Sequence, residues 1–354
     1  MKFLFWVSIA VLLYTYIGYP LAIWILARVR RPAVRKAPIT PRVSVVVACH
    51  KEAAAIKSRI SNLLESDYPA DLLEVIVVSD GSNDGTSDAA RESNSDRVRV
   101  LEYAVRQGKA VALNVGVEAA SGETVVFADA RQSFSPDAIR QMVSNFADPR
   151  VGAVSGAYSF GDAGGPIAQG AGFYWKYEER IRRSEASFDS MIGATGAIYA
   201  IRRSLWQPLP PQTILDDVYT PMQIALKGYR VVFEPGATAY DVAPPSTSRE
   251  FARKVRTLTG NYQLCQLMPR LLLPTHRLFF QFFSHKLTRL AAPFFLLALF
   301  ASSLALAGEH LIYQITLLAQ AAFYASVIAG WVTRRRTRKL RLFNIAYVFS
   351  VMNA

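Results

Sequence analysis

Acidic and basic residues stand at the ends of predicted strands and the starts of predicted helices in the middle of the chain. Asp80 follows the apolar run VIVVS, and Asp129 follows VVFA. Arg131 occupies the position where a second carboxylate would complete a clamp for a metal ion. Lys109 opens a glycine-led helix, a position suited to an anion, and Asp217 lies near the start of another helix. These residue types indicate a ligand site with both acidic and basic groups.

The elements that must position these residues are short β-branched runs that alternate with helical stretches. Strands are predicted at 43–48, 74–79, 98–103 and 124–128, with helices at about 52–65, 86–93 and 108–120. This alternation is typical of an α/β fold with a mostly parallel sheet. Ligands of such sheets collect beyond the carboxyl ends of the strands, where Asp80 and Asp129 stand. The absence of a GxGxxG or GxxxxGKS/T pattern disfavours a dinucleotide-binding dehydrogenase or a P-loop protein.

The second half of the chain is less regular. A charged helix is predicted at 174–183, a strand or glycine-rich loop at 193–203, and an acidic helix start followed by a strand at 215–235. Residues 248–268 predict an amphipathic helix, because apolar side chains recur on one face and basic ones lie away from it. Such a helix is expected to lie on an anionic membrane surface.

Apolar residues are concentrated at the two ends of the chain. Three runs are long enough to cross a bilayer: Phe3–Ala27, Ala291–Gly308 and Leu311–Thr333. A signal peptide is the alternative for the first run, but its long apolar core and the lack of a small-residue cleavage site favour an uncleaved anchor. Leu342–Ala354 begins a fourth run that stops short, so the sequence is expected to be truncated or this piece to lie in the membrane interface.

The net charge of +13 comes largely from two basic blocks beside the apolar runs. One block spans 28–36 and the other 334–341. The positive-inside rule places both blocks, and the region 42–290, in the cytoplasm, with the turn at Gly308–His310 outside. A nucleic-acid partner is therefore not predicted. Cys49 and Cys265 stand far apart without a CxxC pattern, which predicts neither a disulfide framework nor a zinc site.

Four regions follow from these patterns. They are an N-terminal membrane anchor at 1–30, an α/β domain at 42–247, amphipathic interfacial helices at 248–290 and C-terminal membrane helices at 291–354.

Six segments in a fixed order resemble the membrane-embedded family 2 glycosyltransferases. The segments are VSVVVACHKE, VIVVSDGSNDGT, RQGKAVALNVGVEAASGETVVFADAR, GATGAIYAIRR, ILDDVYTPMQIALKGYRVVFEP and RKVRT. The chain is similar to the group that holds the hyaluronan, chitin and cellulose synthases and their bacterial polysaccharide relatives, over about residues 42–260. The resemblance implies a cytoplasmic α/β domain of the Rossmann-like GT-A fold, flanked by transmembrane helices.

The resemblance also assigns roles to individual residues. Asp217 matches the general base, whereas Asp216 is expected to have the ordinary structural role of an acid at a helix start. Asp129 matches the first acid of a DxD motif that holds Mg²⁺ or Mn²⁺ against the donor diphosphate. The nucleotide-sugar-binding positions are Ala48, His50, Glu52, Asp80, Lys109, Asp129, Arg131, Arg253 and Arg256. The acceptor-binding positions are Gly193, Thr195 and Gly196.

The chain departs from the family pattern at three positions. Ser79 stands where the family has an Asp before Asp80, Arg131 replaces the second acid of DxD, and Thr257 replaces a Trp. Structural alternatives remain open for several assigned residues. Asp80 could cap a turn, and Arg253 and Arg256 could form the polar face of the interfacial helix.

The resemblance implies an inverting enzyme that moves a sugar from a nucleotide diphosphate sugar to a glycan or lipid-linked acceptor. A bacterial inner-membrane protein with a cytoplasmic catalytic domain is expected, and so are partners in polysaccharide assembly. The alternatives are a polyisoprenyl-phosphate sugar transferase and a non-catalytic scaffold of a polysaccharide export complex. A transporter is disfavoured, because the predicted spans hold almost no ionisable residues.

Overall fold

The computed structural model describes residues 1–30, 32–160, 166–241 and 247–333. Side chains are described in these ranges except at 160, 166–175, 247–254 and 330–333. The strands are β1 Val43–Cys49, β2 Leu73–Asp80, β3 Val98–Tyr103, β4 Thr124–Ala128, β5 Ser133–Phe134, β6 Val151–Phe160, β7 Ile198–Arg202 and β8 Arg230–Asp241. The helices are α1 Lys2–Leu13, α2 Tyr19–Val29, α3 Ala53–Leu64, α4 Thr86–Arg91, α5 Lys109–Glu118, α6 Ala138–Ser144, α7 Pro166–Phe188, α8 Asp216–Leu226, α9 Thr247–Leu267, α10 Phe279–Gln281, α11 Thr288–Leu306 and α12 Leu311–Thr333.

The strands form one mixed sheet in the order β3-β2-β1-β4-β7-β6-β8-β5. The first four are parallel, β7 runs antiparallel to both of its neighbours, and β8 is parallel to β6. Alternate residues of β1 serve opposite faces, as strand geometry requires. Val46 packs into the core with α5, while Val45 and Val47 pack into the core with α3 and α6. The parallel α/β half is therefore confirmed, and the second half of the chain extends the sheet with a reversed strand.

Within the described part of the chain, three helices are long and apolar enough to cross a membrane: Lys2–Val29, Phe279–Leu306 and Leu311–Ala329. The first joins α1 to α2 through a π-helical turn, and the second joins α10 to α11 in the same way. The second begins at Phe279, not at the expected Ala291, so it contains ionisable residues that the sequence-based spans left out. The expectation of spans almost without such residues is wrong here. The block at 334–341 and the run Leu342–Ala354 lie outside the described residues.

The apolar helices pack on each other and on α7. Lys2 Nζ lies 2.6 Å from Glu309 Oε2, and the rings of Phe5 and Tyr313 meet edge to face at 4.7 Å. At the other end, Tyr19 and Ile23 of α2 pack against Ile181 of α7. Helix α7 thus connects the sheet domain with the apolar helices.

Candidate active site

A cavity of about 510 Å³ lies beyond the carboxyl end of β4. Its walls come from the loop after β4, the loop before β7, the start of α8, part of α9, helix α7 and the helix Phe279–Leu306. Residues assigned from the sequence that line it are Lys109, Asp129, Arg131, Gly193, Thr195, Gly196, Asp217 and Arg256. The fold therefore brings together residues that are far apart along the chain. The cavity faces both the sheet domain and a candidate membrane span.

Lys109 is the cation at the centre of the acidic side of the cavity. Its Nζ lies 3.1 Å from Asp129 Oδ1 and 3.5 Å from Asp216 Oδ2. Burial disfavours the ammonium ion, but the carboxylates of Asp129, Asp216 and Asp217 outweigh this effect and raise the pKa of Lys109. The lysine therefore stays charged and offsets part of the charge of three acids.

Asp216 belongs to this cluster, contrary to the purely structural role expected for it. It is 4% exposed, lines the cavity and contacts Lys109. Burial raises the pKa of its carboxyl to about 6; Lys109 opposes this shift, and Asp217 and Asp129 add to it. Its position at the start of α8 is as predicted, but the fold turns the side chain toward Lys109.

The segment 193–196 is held directly against Asp217. Ala194 donates its backbone N–H to the Asp217 carbonyl oxygen at 2.7 Å, and Gly193 has a φ of +137°. Thr195 donates its backbone N–H to Ser155 Oγ at 2.9 Å. These bonds fix the segment beside the carboxylate that the sequence assigns as general base. The three predicted acceptor-binding residues therefore belong to a segment that is held beside Asp217, and Gly193 and Gly196 lie close to it.

The carboxylate of Asp80 binds the backbone of the two residues that precede Lys109. Its two carboxylate oxygens accept the backbone N–H groups of Gln107 at 2.6 Å and Gly108 at 2.8 Å, and the residue is 3% exposed. His50 Nδ1 lies 2.7 Å from the Asp80 carbonyl oxygen. Asp80, His50 and Ala48 are not among the residues that line the cavity, so their contact with a nucleotide stays a prediction.

Arg131 pairs with another residue assigned to the nucleotide site. Its Nε donates to both carboxylate oxygens of Glu52 at 2.8 Å, while 63% of its side chain remains exposed. The hydrogen bond and charge of Glu52 raise the pKa of Arg131. Because only Nε takes part in these bonds, the two Nη groups of the planar guanidinium can donate to a ligand at the cavity. Nearby, Asp241 accepts hydrogen bonds from Tyr158 and from Gln132, the latter at 2.8 Å.

The interfacial helix contributes Arg256 to the cavity, while Val255 and Tyr262 on its other side are about half exposed. Leu258, which the sequence pattern puts on the same face as Val255 and Tyr262, lines the cavity instead, and contact of α9 with a membrane stays a prediction. The side chain of Arg253 lies outside the described residues.

The acidic side of the cavity suits a divalent ion only if the bound substrate and waters supply part of its coordination shell. Among the described residues, no group of three or more His, Cys, Asp or Glu side chains could hold a metal ion. Mg²⁺, however, usually takes one or two carboxylates, with waters and substrate phosphates completing its shell. Asp129 has a half-exposed carboxylate on the cavity and suits that role.

The membrane side of the cavity carries residues that the sequence reasoning missed. They are Glu178, Arg182, Glu185, His285, Lys286 and Arg289. The available signal was the group of ionisable residues inside the apolar stretch 279–306, since such residues in a span are usually functional.

Comparisons with known proteins agree with this geometry. Residues 44–207 match the family described as Glycosyl transferase family 2. The chain contains a family 2 glycosyltransferase domain. It is 25% identical over 228 residues to poly-beta-1,6-N-acetyl-D-glucosamine synthase of Staphylococcus epidermidis, and 26% identical over 232 residues to that of Staphylococcus aureus strain COL. Each alignment covers 63% of this chain and 55% of the relative, so the chain spans about half the length of these curated relatives.

A solved structure matches nearly the whole chain. The mannosyltransferase PcManGT from Pyrobaculum calidifontis, in complex with GDP-Man and Mn²⁺, is 26% identical, has a TM-score of 0.74 and covers 99% of both chains. The predicted GT-A fold with apolar terminal helices is confirmed. The matched family is one of glycosyl transferases, and the matched structure holds a nucleotide sugar.

Proposed function

We propose that this protein is an inverting glycosyltransferase that moves a sugar from a nucleotide diphosphate sugar to a hydroxyl of a glycan or lipid-linked acceptor. The observation that carries this proposal is the single cavity shared by Asp217, the Lys109–Asp129 pair and a candidate membrane span. An inverting transfer needs a base for the acceptor and positive charge for the leaving diphosphate. Both kinds of group face this cavity.

The chemistry follows from these positions. Asp217 takes the proton of the acceptor hydroxyl while that oxygen attacks the anomeric carbon of the donor sugar. The bond from this carbon to the diphosphate oxygen breaks, and the nucleoside diphosphate leaves with the bonding electrons. Lys109 and Arg131 oppose the charge that develops on it, and Asp80 keeps the Lys109 loop in place through its backbone bonds.

Asp129 would hold a divalent ion in this scheme. Mg²⁺ or Mn²⁺ bound there would supply positive charge next to the donor diphosphate. The Mn²⁺ in the PcManGT complex supports the use of a divalent ion, as does the fit of one carboxylate plus phosphate oxygens.

The proposed setting is a membrane with the catalytic domain on its cytoplasmic side, as in the inner membrane of a bacterium. The basic blocks beside the apolar runs support this orientation. The similarity to polysaccharide synthases supports a role in polysaccharide biosynthesis, where assembly partners are expected. We place the anchor at 1–30 and the catalytic domain at 42–247. Because the second candidate span begins at Phe279, we end the interfacial region, predicted at 248–290, before that residue and begin the C-terminal membrane helices, predicted at 291–354, there.

Release of nucleoside diphosphate tests the proposal. The detergent-solubilised full chain is incubated with a panel of nucleotide sugars that includes GDP-mannose and UDP-N-acetylglucosamine, together with membrane lipid extract as the acceptor source. We expect release from one donor, dependent on the extract, with an inverted anomeric centre in the product by NMR. Failure of every donor to bind or react would contradict the proposed function.

A further inference from the structure

The membrane side of the cavity has a basic surface, which we call the basic wall. It consists of Arg182 from α7 with Lys286 and Arg289 from the helix Phe279–Leu306. The lining near Lys109 carries Asp129 and Asp216, followed by Asp217. Acidic and basic groups therefore line the same cavity.

Two cations of the basic wall are held by other side chains. Arg289 Nη1 donates to Glu178 Oε1, and Arg182 Nη1 donates to Thr195 Oγ1 at 3.2 Å. The second bond joins the basic wall to the segment that is held beside Asp217. A ligand on this wall would therefore lie next to the proposed base.

The buried glutamates of this region, Glu178 and Glu185, already have hydrogen-bond partners. His285 lies between them, with Nδ1 2.8 Å from Glu185 Oε1 and Nε2 3.2 Å from Glu178 Oε2. Tyr19 also donates its hydroxyl to Glu185 at 2.5 Å. Two carboxylates thus face three cations of the basic wall and a histidine.

Lys286 is the third cation of the basic wall. Among the described residues its ammonium makes no hydrogen bond or salt bridge, although it lies within electrostatic range of Arg182, Arg289, Glu178 and Asp217. A cation that faces a cavity beside other cations is costly without an anion to pair with. The basic wall is therefore suited to an anionic ligand.

The location of Lys286 limits what this anion is attached to. The residue belongs to a helix long and apolar enough to span a membrane, and it stands near the cavity end of that helix. Basic pockets at the ends of membrane helices suit the phosphate head groups of lipids. A ligand with its phosphate at Lys286 can keep an apolar tail in the bilayer.

We propose that the basic wall binds the phosphate ester head group of the lipid that serves as acceptor. This inference rests on the proposed function, because it concerns the acceptor of that reaction. The phosphate at Lys286 and Arg182 anchors the lipid, and the hydroxyl to be glycosylated lies beside Asp217. The donor diphosphate occupies the other side of the cavity, where Asp129 and Lys109 stand.

Binding of simple probes tests the inference without turnover. The detergent-solubilised full chain is titrated with farnesyl phosphate, farnesol and inorganic phosphate, and its tryptophan fluorescence or thermophoresis is recorded. We expect farnesyl phosphate to bind at least about tenfold more tightly than either other probe, because it alone combines charge and tail. Equal binding of farnesol would overturn the phosphate subsite, and equal binding of inorganic phosphate would overturn the lipid assignment.

Single-residue variants test whether Lys286 binds the phosphate of farnesyl phosphate. Lys286→Gln should weaken farnesyl phosphate binding about tenfold, Lys286→Arg should largely retain it, and the surface control Lys57→Gln should not change it. The donor KM of Lys286→Gln should stay near that of the native chain. A raised donor KM with unchanged farnesyl phosphate binding would assign the wall to the donor and refute the proposal. Absence of turnover with every donor in the native chain, with the probe preference intact, would refute the proposed function and the acceptor role but leave the lipid phosphate site.

Discussion

A Cβ atom on Gly196 would lie 2.9 Å from Oδ2 of Asp217, so this glycine leaves the space that the carboxylate occupies. Carbon and oxygen atoms do not approach that closely without a shift of one of them. The backbone of the same segment is tied to Asp217 by the bond from Ala194. Segment 193–196 therefore sets where the proposed base can point.

Gly196→Ala should misplace the carboxylate of Asp217 while the fold persists. Because a shift of about 1 Å at a reacting group can cost about 10²-fold in rate, we expect kcat to fall by up to that factor. Gly308→Ala is the matched control, since a Cβ there meets no atom within 4 Å. Equal kcat values for the two variants in the nucleoside diphosphate assay would show that the close approach has no catalytic role.

Asp217→Asn should nearly abolish transfer and leave donor binding intact. The amide keeps the shape of the side chain but cannot take the acceptor proton, and loss of a general base costs about 10²–10⁴-fold in rate. Donor affinity is measured by calorimetry and turnover by product release. The exposed Asp71→Asn serves as the control. Turnover near the native level would remove Asp217 from the mechanism.

The buried carboxyl of Asp216 gives the free energy of unfolding a pH dependence. Because burial raises its pKa from 3.8 to about 6, the folded protein binds this proton more tightly than the unfolded chain does. Its contribution to stability is therefore greatest at low pH, falls as the pH rises from about 4 to about 6, and is constant above. Asp216→Asn lacks this titration. We expect the Tm of the native chain, relative to that variant, to be higher at pH 5 than at pH 7; a constant difference would contradict this account.

Much of the fold was predictable because local patterns and tertiary packing agree. Strands β3 and β4 have the predicted bounds, and β1, β2 and their helices differ by a few residues at the ends. A strand was one of the two predictions for 193–203, but the reversed direction of β7 was not predictable, because strand direction depends on pairing with β4 and β6.

The site was predictable where motif residues stand at strand ends, and less so where distant elements meet. Asp129, Lys109 and Asp217 lie together as their positions implied. Asp216 was read as a helix-start acid because sequence does not reveal which of two adjacent carboxylates meets Lys109. Lys286 and Arg289 were missed because their charges interrupt the apolar run, and only the fold shows their place beside Glu178.

The orientation of the apolar helices gives a labelling prediction. Glu309 should be extracytoplasmic, and its contact with Lys2 places the start of the chain on the same side. Glu309→Cys and Lys2→Cys, each in a Cys265→Ser background, should react with a membrane-impermeant maleimide added to intact cells. Cys49 is buried and should stay unlabelled. Labelling of either new cysteine only from the cytoplasmic side would reverse the proposed orientation.

A variant of Arg131 tests how the site binds the donor and a metal ion without the second acid of the DxD motif. Its guanidinium is largely exposed and bound through Nε to Glu52, so it can add a contact to the donor diphosphate and supplement a metal ion at Asp129. Exposed ion pairs contribute about 0.2–1 kcal/mol, so Arg131→Ala should raise the donor KM by up to about fivefold. The same variant should need more Mn²⁺ or Mg²⁺ for half-maximal activity, because the ion must then offset more of the diphosphate charge.

A matched control and a chelator separate this role from a local structural one. Arg140→Ala removes a guanidinium of similar exposure that pairs with Asp67 away from the cavity, and it should change neither quantity. EDTA should abolish activity of the native chain, and added Mn²⁺ or Mg²⁺ should restore it. Unchanged metal dependence in Arg131→Ala would show that Arg131 only pairs with Glu52 and does not act on the donor diphosphate. Full activity of the native chain in excess EDTA would refute metal use and leave Lys109 and Arg131 as the charges that oppose the leaving group.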